Sequence, residues 1–376
     1  MAAVQRQLQI SKSIKDENTK VLVISRKGIH SSDLIKKEKM SAKGCFEEID
    51  YVFASGTPLY PQNFLLRSSL KIIGFFMEAI IILKKRITTN INCIIVNTTS
   101  LNQLKYYWFL SRLINIKLVY DYVEYMSSVK DRSVKETSTD KTFDTEFLKY
   151  ADSLIVISSF LARHVKKMSP NLPYVVVPPI MDFEKFSKDF TNPEETDYFF
   201  YCGSTQYTDV VEFLIESYRK TNSANLGVSL ILAVNGDPEV ISALKNLITN
   251  DKTIKIISRL PYKTLMAYYK NAKGLLIPLQ DNLQDRARFP FKISEYTASA
   301  RPIITSNSGA IVEYFEDGKN ALLAKTGDSD DFAAKLTFVL NNPEDAEQIA
   351  INAFTLGMHN FNYKTHSPYL KNLISQ

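Results

Sequence analysis

The sequence contains few cysteines, with three in 376 residues, and none of them has the spacing of a metal site. Cys45, Cys93 and Cys202 each lie among apolar residues. This pattern predicts buried thiols in a reducing compartment and argues against a disulfide framework or a zinc cluster. The four histidines also lack the spacing of metal ligands, so no metal site is predicted.

The sequence also lacks an uncharged hydrophobic run long enough to cross a bilayer, and its N-terminus does not resemble a signal peptide. The longest apolar stretch, 64–83, contains three charged residues and is followed by the basic run 84–86. Two interpretations stay open. The favoured one is a buried helix whose basic end complements the helix dipole, and the other is a surface that docks on an anionic membrane. We therefore expect a cytoplasmic protein, either free or at the inner face of the membrane.

Three functional signatures are missing. No glycine fingerprint follows a strand at the spacing of a dinucleotide-binding dehydrogenase. The basic residues give a net charge of +6 but are scattered, and no nucleic-acid-binding motif occurs. No Asp-x-Asp pair stands in a plausible metal-binding loop, because the acidic group at 328–331 is typical of a capped helix start. The positive charge for an anionic substrate must then come from side chains.

What the sequence does contain is an alternation of apolar strands and amphipathic helices. This order predicts an α/β protein with doubly wound, parallel sheets, and the length suits two domains of ordinary size. The predicted first domain is 1–182, a polar linker follows at 183–196, and the second domain is 197–360. The segment 126–142 is rich in Ser, Thr, Lys and Asp without periodicity, which predicts a mobile or disordered loop.

The segment 286–318 gathers the residues that are best suited to a ligand. Arg286, Arg288 and Lys292 supply positive charge, and Glu295 follows Lys292 by three positions. If 291–300 is helical, Lys292 and Glu295 lie on one face near its start. A cation can bind a phosphate through charge-assisted hydrogen bonds, and a carboxylate can accept from sugar hydroxyls. A nucleoside diphosphate with its ribose would use both, although single residues of this kind are more often a solvated charged patch.

This segment resembles the donor site of the group 1 glycosyltransferases (family 4), which have the GT-B fold of two Rossmann-like domains facing a central cleft. The resemblance implies that Glu295 holds the ribose and that Lys292, with Arg286 or Arg288, faces the diphosphate. The family often carries an earlier glutamate where this sequence has Ala287. The matching residues are 290–298, 301–305, 307–309, Glu313 and 317–320.

The resemblance implies further contacts outside that segment. Gly203 and Ser204, between a strand and a helix, are expected near the diphosphate, although the arginine and lysine that often follow in the family are absent. Arg259 is expected near the nucleotide base. Asp121 and Glu124 follow a first-domain strand and are candidates for the cleft, with capping and surface charge as an equal alternative.

In the same comparison, the tail 361–376 is expected to pack on the first domain. The family would also place a strand before the opening helix, 2–15. Two explanations for the missing strand stay open: a truncated start, or a first domain without that strand. His30 is considered for the acceptor side of the cleft, although a surface position is favoured.

The predicted activity is that of a hexosyltransferase-like enzyme. It would use a nucleotide sugar as co-substrate, without cofactor or metal, and transfer the sugar to a glycan or lipid-linked acceptor in bacterial polysaccharide assembly. The resemblance implies retention at the anomeric carbon. Two alternatives remain, a nucleotide-sugar epimerase and a non-catalytic member that binds a nucleotide or a protein. The sequence names neither the sugar nor the acceptor.

Overall fold

A computed structural model describes residues 2–29, 35–36, 39–89, 91–129, 132–187, 190, 193 and 195–375. His30 lies outside the described residues. In the first part of the chain, two sheets follow the opening helix. The elements are α1 (Ala2–Ile14), β1 (Leu22–Ser25), β2 (Lys43–Phe46), β3 (Ile49–Phe53), α2 (Phe64–Thr89), β4 (Cys93–Val96), α3 (Leu101–Leu113), β5 (Lys117–Tyr122), α4 (Val134–Glu146), β6 (Ser153–Val156), α5 (Ser159–Met168) and β7 (Tyr174–Val176).

These strands form a four-stranded parallel sheet in the order β4-β5-β6-β7 and a three-stranded sheet in the order β1-β3-β2. The expectation of parallel strands throughout is wrong at one position. β2 was not predicted, and it pairs antiparallel to β3 across a two-residue turn in which Glu47 and Glu48 both have positive φ. Such a hairpin is specified by its turn and needs no apolar run in its edge strand.

The second part of the chain builds a single six-stranded parallel sheet, and its strands and helices alternate as predicted. The elements are β8 (Tyr198–Ser204), α6 (Thr208–Arg219), β9 (Ser229–Asn235), α7 (Pro238–Asn246), β10 (Ile254–Ile257), α8 (Tyr262–Asn271), β11 (Gly274–Ile277), α9 (Leu283–Ala287), α10 (Lys292–Ala298), β12 (Ile303–Ser306), β13 (Leu322–Ala324), α11 (Ser329–Asn341), α12 (Pro343–Asn360) and α13 (Ser367–Ser375).

The order of the strands in this sheet, β10-β9-β8-β11-β12-β13, fixes where a ligand can bind. β8 lies between β9 and β11, so the chain reverses its direction of winding at β8. In open parallel sheets, the crevice beyond the carboxyl ends of the strands at such a reversal is the usual ligand site. The loops that follow β8, β11 and β12 meet at this edge.

The C-terminal helix α13 packs on the four-stranded sheet of the first domain. Leu370 and Leu373 of α13 are buried against Ile10 of α1 and against Val119 and Ile155 of β5 and β6. Burial of these side chains holds the two ends of the chain on one face of the sheet.

The segment 126–142 differs from the prediction, because most of it is ordered as the helix α4. Ser133 accepts a hydrogen bond from Glu136 N, and Glu136 accepts from Ser133 N at 2.9 Å. This capping box satisfies the free amide groups at the start of the helix. The Ser-x-x-Glu spacing was visible in the sequence, and it determines the helix despite the absence of an apolar stripe.

The favoured interpretation of 64–83 as a buried helix is also wrong. α2 buries only Gly74, Glu78 and Ile82, whereas most of its large apolar side chains are exposed. No helix among the described residues combines the length and the apolar character needed to cross a bilayer. The prediction of buried cysteines fails for Cys45, which is exposed on the edge strand β2.

Candidate functional site

The carboxyl end of β8 forms the floor of the candidate site. A Cβ atom at Gly203 would lie 2.3 Å from the hydroxyl oxygen of Tyr201, so any side chain there would displace the tyrosine ring. Ser204 ends the strand and accepts a hydrogen bond from Gln206 N at 3.2 Å, which begins a short 3-10 turn leading into α6. Because Gly203 has no side chain, the backbone at the end of β8 is left uncovered and accessible to a ligand.

Lys292 begins α10 and reaches back to this floor. Its ammonium group donates to the carbonyl of Cys202 and lies 4.6 Å from the centroid of the Tyr201 ring. Burial lowers the pKa of Lys292, and the nearby positive charge of Arg288 acts in the same direction. Because the acceptor of Lys292 is a neutral carbonyl, an anion that bound there would interact with the ammonium group more strongly than the carbonyl does.

Arg288 lies beside Lys292 and is positioned by two side chains. It donates to the hydroxyl of Tyr207, stacks over that ring at 4.7 Å, and forms an ion pair with Asp285. Its pKa is raised because the favourable interaction with Asp285 outweighs the effect of burial. Since the Nε atom of Arg288 is buried without a hydrogen-bond partner, the guanidinium retains capacity for a further acceptor.

Glu295 lies one turn after Lys292 on α10, as the spacing predicted. Its carboxylate accepts a hydrogen bond from the hydroxyl of Tyr262 at 3.3 Å, at the start of α8. Burial raises the pKa of Glu295 to about 7, against the opposing effects of Tyr262 and Lys292. The site therefore presents two cations and one titrating carboxylate around the end of β8.

The raised pKa of Glu295 predicts a pH-dependent stability. Between about pH 4.5 and 7 the folded protein binds the proton more tightly than the unfolded chain, so the free energy of unfolding falls as pH rises through this window. The loss from this group is on the order of 3 kcal/mol. Urea unfolding at several pH values measures it.

Glu295→Gln should flatten that slope, because glutamine does not titrate. Glu212→Gln, at an exposed position of α6, is the matched control and should leave the slope unchanged. An unchanged slope in Glu295→Gln would show that the carboxylate titrates normally.

The loop after β12 also reaches the site, with its residues in different settings. Gly309 has a φ of +60°, and a Cβ atom there would lie 2.6 Å from the carbonyl oxygen of Asp285. Ser308 is buried, whereas Asn307 is exposed. The close approach at Gly309 therefore seats this loop against α9, which carries Asp285 and leads to Arg288.

Two predicted residues lie apart from the cluster. Arg286 is exposed, and its ion-pair partner is the exposed Asp281 at 3.1 Å. Arg259 is exposed too, in a left-handed backbone conformation with φ of +57°, and its amide donates to Asn235 Oδ1 at 2.7 Å. Of the two arginines offered as partners of Lys292, Arg288 is near enough for its charge to lower the pKa of Lys292, whereas Arg286 stays at the surface.

Asp121 is buried beneath the first domain's surface and does not line an open cleft. Arg6 Nε lies 3.0 Å from both of its carboxylate oxygens, and Asn97 donates to it at 3.2 Å. The Arg6 guanidinium also donates to the carbonyls of Val177 and Pro178 at 3.0 and 3.1 Å. Asp121 is therefore a structural ion-pair partner that ties α1 to the strand β5.

Glu124 does face the second domain. Gln284 of α9 donates to its carboxylate at 3.3 Å. Close by, the hydroxyl of Ser158 donates to the carbonyl of Ala287 at 2.6 Å. These two contacts join the first domain to the short helix that precedes Arg288 and Lys292.

Sequence reasoning missed several contributors to the site. Tyr262 had no signal beyond its place at a helix start, and Tyr207 had none beyond its place shortly after Ser204. Asp285 follows Asn282 by three positions, and Asn282 caps α9 through a 2.9 Å hydrogen bond to Asp285 N. That capping pattern was readable, but the ion pair of Asp285 with Arg288 depends on how the chain turns after α9. Across the described part of the chain, no group of three or more His, Cys, Asp or Glu side chains has the arrangement of a metal site.

The two α/β domains and the site between them define a protein of the GT-B class. Solved structures of this class match along nearly the whole chain. A sucrose-phosphate synthase from Thermosynechococcus elongatus is 16% identical with a TM-score of 0.73, covering 100% of this chain and 92% of that one. A glycosyltransferase from Rickettsia africae is 14% identical with a TM-score of 0.69, covering 100% and 94%. Anabaena HepE, solved with UDP and glucose, is 15% identical with a TM-score of 0.69, covering 100% and 96%.

The family assignment comes from the second domain. Residues 182–355 match the family model of glycosyl transferases group 1. A comparison with curated protein sequences gives no match. The chain therefore has the GT-B fold, and its second domain matches the group 1 glycosyltransferases, as the resemblance of 286–318 implied.

Proposed function

We propose that the protein transfers a sugar from a nucleotide-diphosphate donor to a glycan or lipid-linked acceptor without a metal ion. The observation that carries this proposal is the convergence of Arg288, Lys292 and Glu295 at the carboxyl end of β8. UDP in the HepE structure and the group 1 family of residues 182–355 support the same kind of donor.

The cations have a clear task in such a reaction. As the bond between the anomeric carbon and the diphosphate oxygen breaks, negative charge grows on the leaving diphosphate. Lys292 and Arg288 are fixed before the reaction, so they can stabilise that charge without reorganisation. The diphosphate would take the place of the Cys202 carbonyl as the acceptor of Lys292 and would use the free Nε of Arg288.

Glu295 is suited to the ribose. Its carboxylate lies on the same helix face as Lys292 and accepts a hydrogen bond from Tyr262, and a carboxylate has further lone pairs that can accept from ribose hydroxyls. Because burial raises its pKa to about 7, ribose hydroxyls that donate to the carboxylate should favour the ionised form. Donor binding should therefore release a proton near neutral pH.

A thermal-shift scan tests the donor class. The purified chain is mixed with UDP, GDP, ADP or CMP, with Mg²⁺ or with EDTA. One diphosphate should raise the melting temperature, since a ligand at 100 times its Kd stabilises by about 2.7 kcal/mol. The monophosphate of the nucleoside whose diphosphate gives the shift is the matched control for the second phosphate.

Three further results of this experiment and of a donor-consumption assay distinguish the proposed transferase from a metal-dependent enzyme, a non-catalytic protein and an epimerase. The same shift in EDTA is expected for a site that relies on side-chain cations, and its loss in EDTA would contradict metal independence. No shift with any nucleotide would favour a non-catalytic protein. Consumption of a nucleotide sugar without acceptor, with recovery of an isomeric nucleotide sugar, would favour an epimerase.

A further inference from the structure

Helix α2 presents an apolar face to solvent. Phe76 is 61% exposed and Ile87 is 85% exposed. With Leu65, Ile72, Ile73 and Ile80 they recur at intervals of three, four and seven residues, which places them along one side of the helix. A surface helix of a globular protein normally turns such a side inward, and contiguous exposed apolar surface marks an interaction site.

The opposite side of α2 attaches the helix to the protein, and it is narrow. A Cβ atom at Gly74 would lie 2.1 Å from the carbonyl oxygen of Arg26, so the helix backbone packs directly on that residue. Glu78 is buried in an ion pair with Arg26 at 2.6 Å and accepts from Tyr107 at 2.7 Å. Because small and charged residues form this inner side, the orientation of α2 is fixed and its apolar side must face outward.

The apolar surface continues onto α3. The two helices run side by side, since Phe75 contacts Tyr106 with ring centroids 4.7 Å apart and Arg86 donates to the Ile114 carbonyl at 3.1 Å. On α3, Phe109 and Leu113 are 60% and 62% exposed. We call the outward faces of α2 and α3 together the α2–α3 face.

The charge of α2 indicates what covers this face. Glu78 is the helix's one acidic residue, and it is buried and paired. Lys84 borders the apolar stripe, whereas Arg67, Lys71 and Lys85 project from the opposite side of the helix, near its two ends. The helix is thus apolar on one side and cationic on the other, the pattern of a helix that lies in the interface of an anionic bilayer.

We propose that the α2–α3 face docks on an anionic lipid surface, with α2 lying in the membrane plane. Its 26 residues make a rod of about 39 Å that rests on the bilayer without crossing it. A second copy fits less well. The helix has no exposed acidic residue that could pair with the basic residues of a second copy. Such docking would hold the first domain where a lipid-linked acceptor lies.

Vesicle sedimentation of the full chain tests the proposal. The chain should sediment with vesicles that contain phosphatidylglycerol and stay in solution with pure phosphatidylcholine. Phe76→Gln/Ile80→Gln should lower the partition coefficient at least tenfold, because two anchoring side chains are removed from positions that the fold does not bury. The matched control is Leu226→Gln/Leu247→Gln, which changes two exposed leucines of the second domain.

The charge is tested separately. Lys71→Glu/Lys84→Glu should lower the partition coefficient by tenfold or more, since each basic residue near an anionic surface contributes about fivefold. Lys245→Glu/Lys252→Glu makes the same change in net charge on an exposed part of the second domain and should have little effect.

Three results would overturn the proposal. They are no sedimentation with either vesicle, sedimentation that the α2 variants do not weaken, and a concentration-dependent dimer that Phe76→Gln/Ile80→Gln abolishes. The last result would assign the face to a second copy of the chain. The thermal shift with nucleotide should persist in every α2 variant, so failure of membrane docking and failure of the proposed donor site are distinguishable.

Discussion

Lys292→Ala is expected to weaken binding of the nucleoside diphosphate by about 10- to 100-fold. A charge-assisted hydrogen bond contributes about 1.5–3 kcal/mol, and alanine removes the ammonium group that is proposed to bind the phosphate. Sugar transfer should fall further, by about 100- to 1000-fold, because the leaving diphosphate gains charge in the transition state. Isothermal titration and an initial-rate assay measure the two effects.

The fold should survive this substitution. Burial lowers the pKa of Lys292, which means that the folded protein disfavours its charged form, so removal of the ammonium does not destabilise the free protein. Lys292→Arg should keep part of the affinity, and Lys252→Ala, at an exposed position, is the matched control. Full affinity and full activity in both Lys292→Ala and Glu295→Ala would refute the donor-site assignment.

Arg6→Ala is expected to lower the free energy of unfolding by about 3–5 kcal/mol. Both members of the Arg6–Asp121 ion pair are 1% exposed, and removal of the guanidinium leaves the Asp121 carboxylate buried without its cation. The same substitution frees the carbonyls of Val177 and Pro178. Urea unfolding, monitored by circular dichroism, measures the loss.

Arg6→Ala/Asp121→Asn should lose less stability than Arg6→Ala alone, since the double variant no longer buries an unpaired charge. The control is Arg219→Ala, which breaks an exposed ion pair with Asp251 at 3.3 Å and should cost at most about 1 kcal/mol. Equal losses in Arg6→Ala and Arg219→Ala would show that the buried pair contributes no more than a surface pair.

The structure changes how the two halves of the candidate site are understood. In the second domain, the spacing of Lys292 and Glu295 along the sequence predicted their shared position on α10. It did not predict their neighbours from other elements, such as Tyr262 and Asp285. In the first domain, Asp121 serves the fold and Glu124 contacts Gln284 across the domains. A catalytic residue is not assigned by either half, and Ala287 is buried where the family often carries a glutamate.

Local patterns in the sequence determined much of this protein. Strand and helix alternation along 197–360 gave the elements of the second sheet, because apolar periodicity acts within a few residues. Asp328 accepts hydrogen bonds from Asp330 N and Asp331 N, so the acidic group at 328–331 is a helix cap, as predicted. The i, i+3 spacing of Lys292 and Glu295 placed them together before any tertiary contact was known.

The tertiary structure decided what lies opposite each side chain. Arg6 meets Asp121 across 115 residues, and Arg288, in place of Arg286, turns toward Lys292 because Asp285 and Tyr207 hold it. For the same reason the exposure of α2 was not predicted: its sequence shows apolar side chains but not which of its faces the rest of the protein covers. Spacing along a chain fixes which residues share a face, whereas burial depends on the packing of distant elements against it.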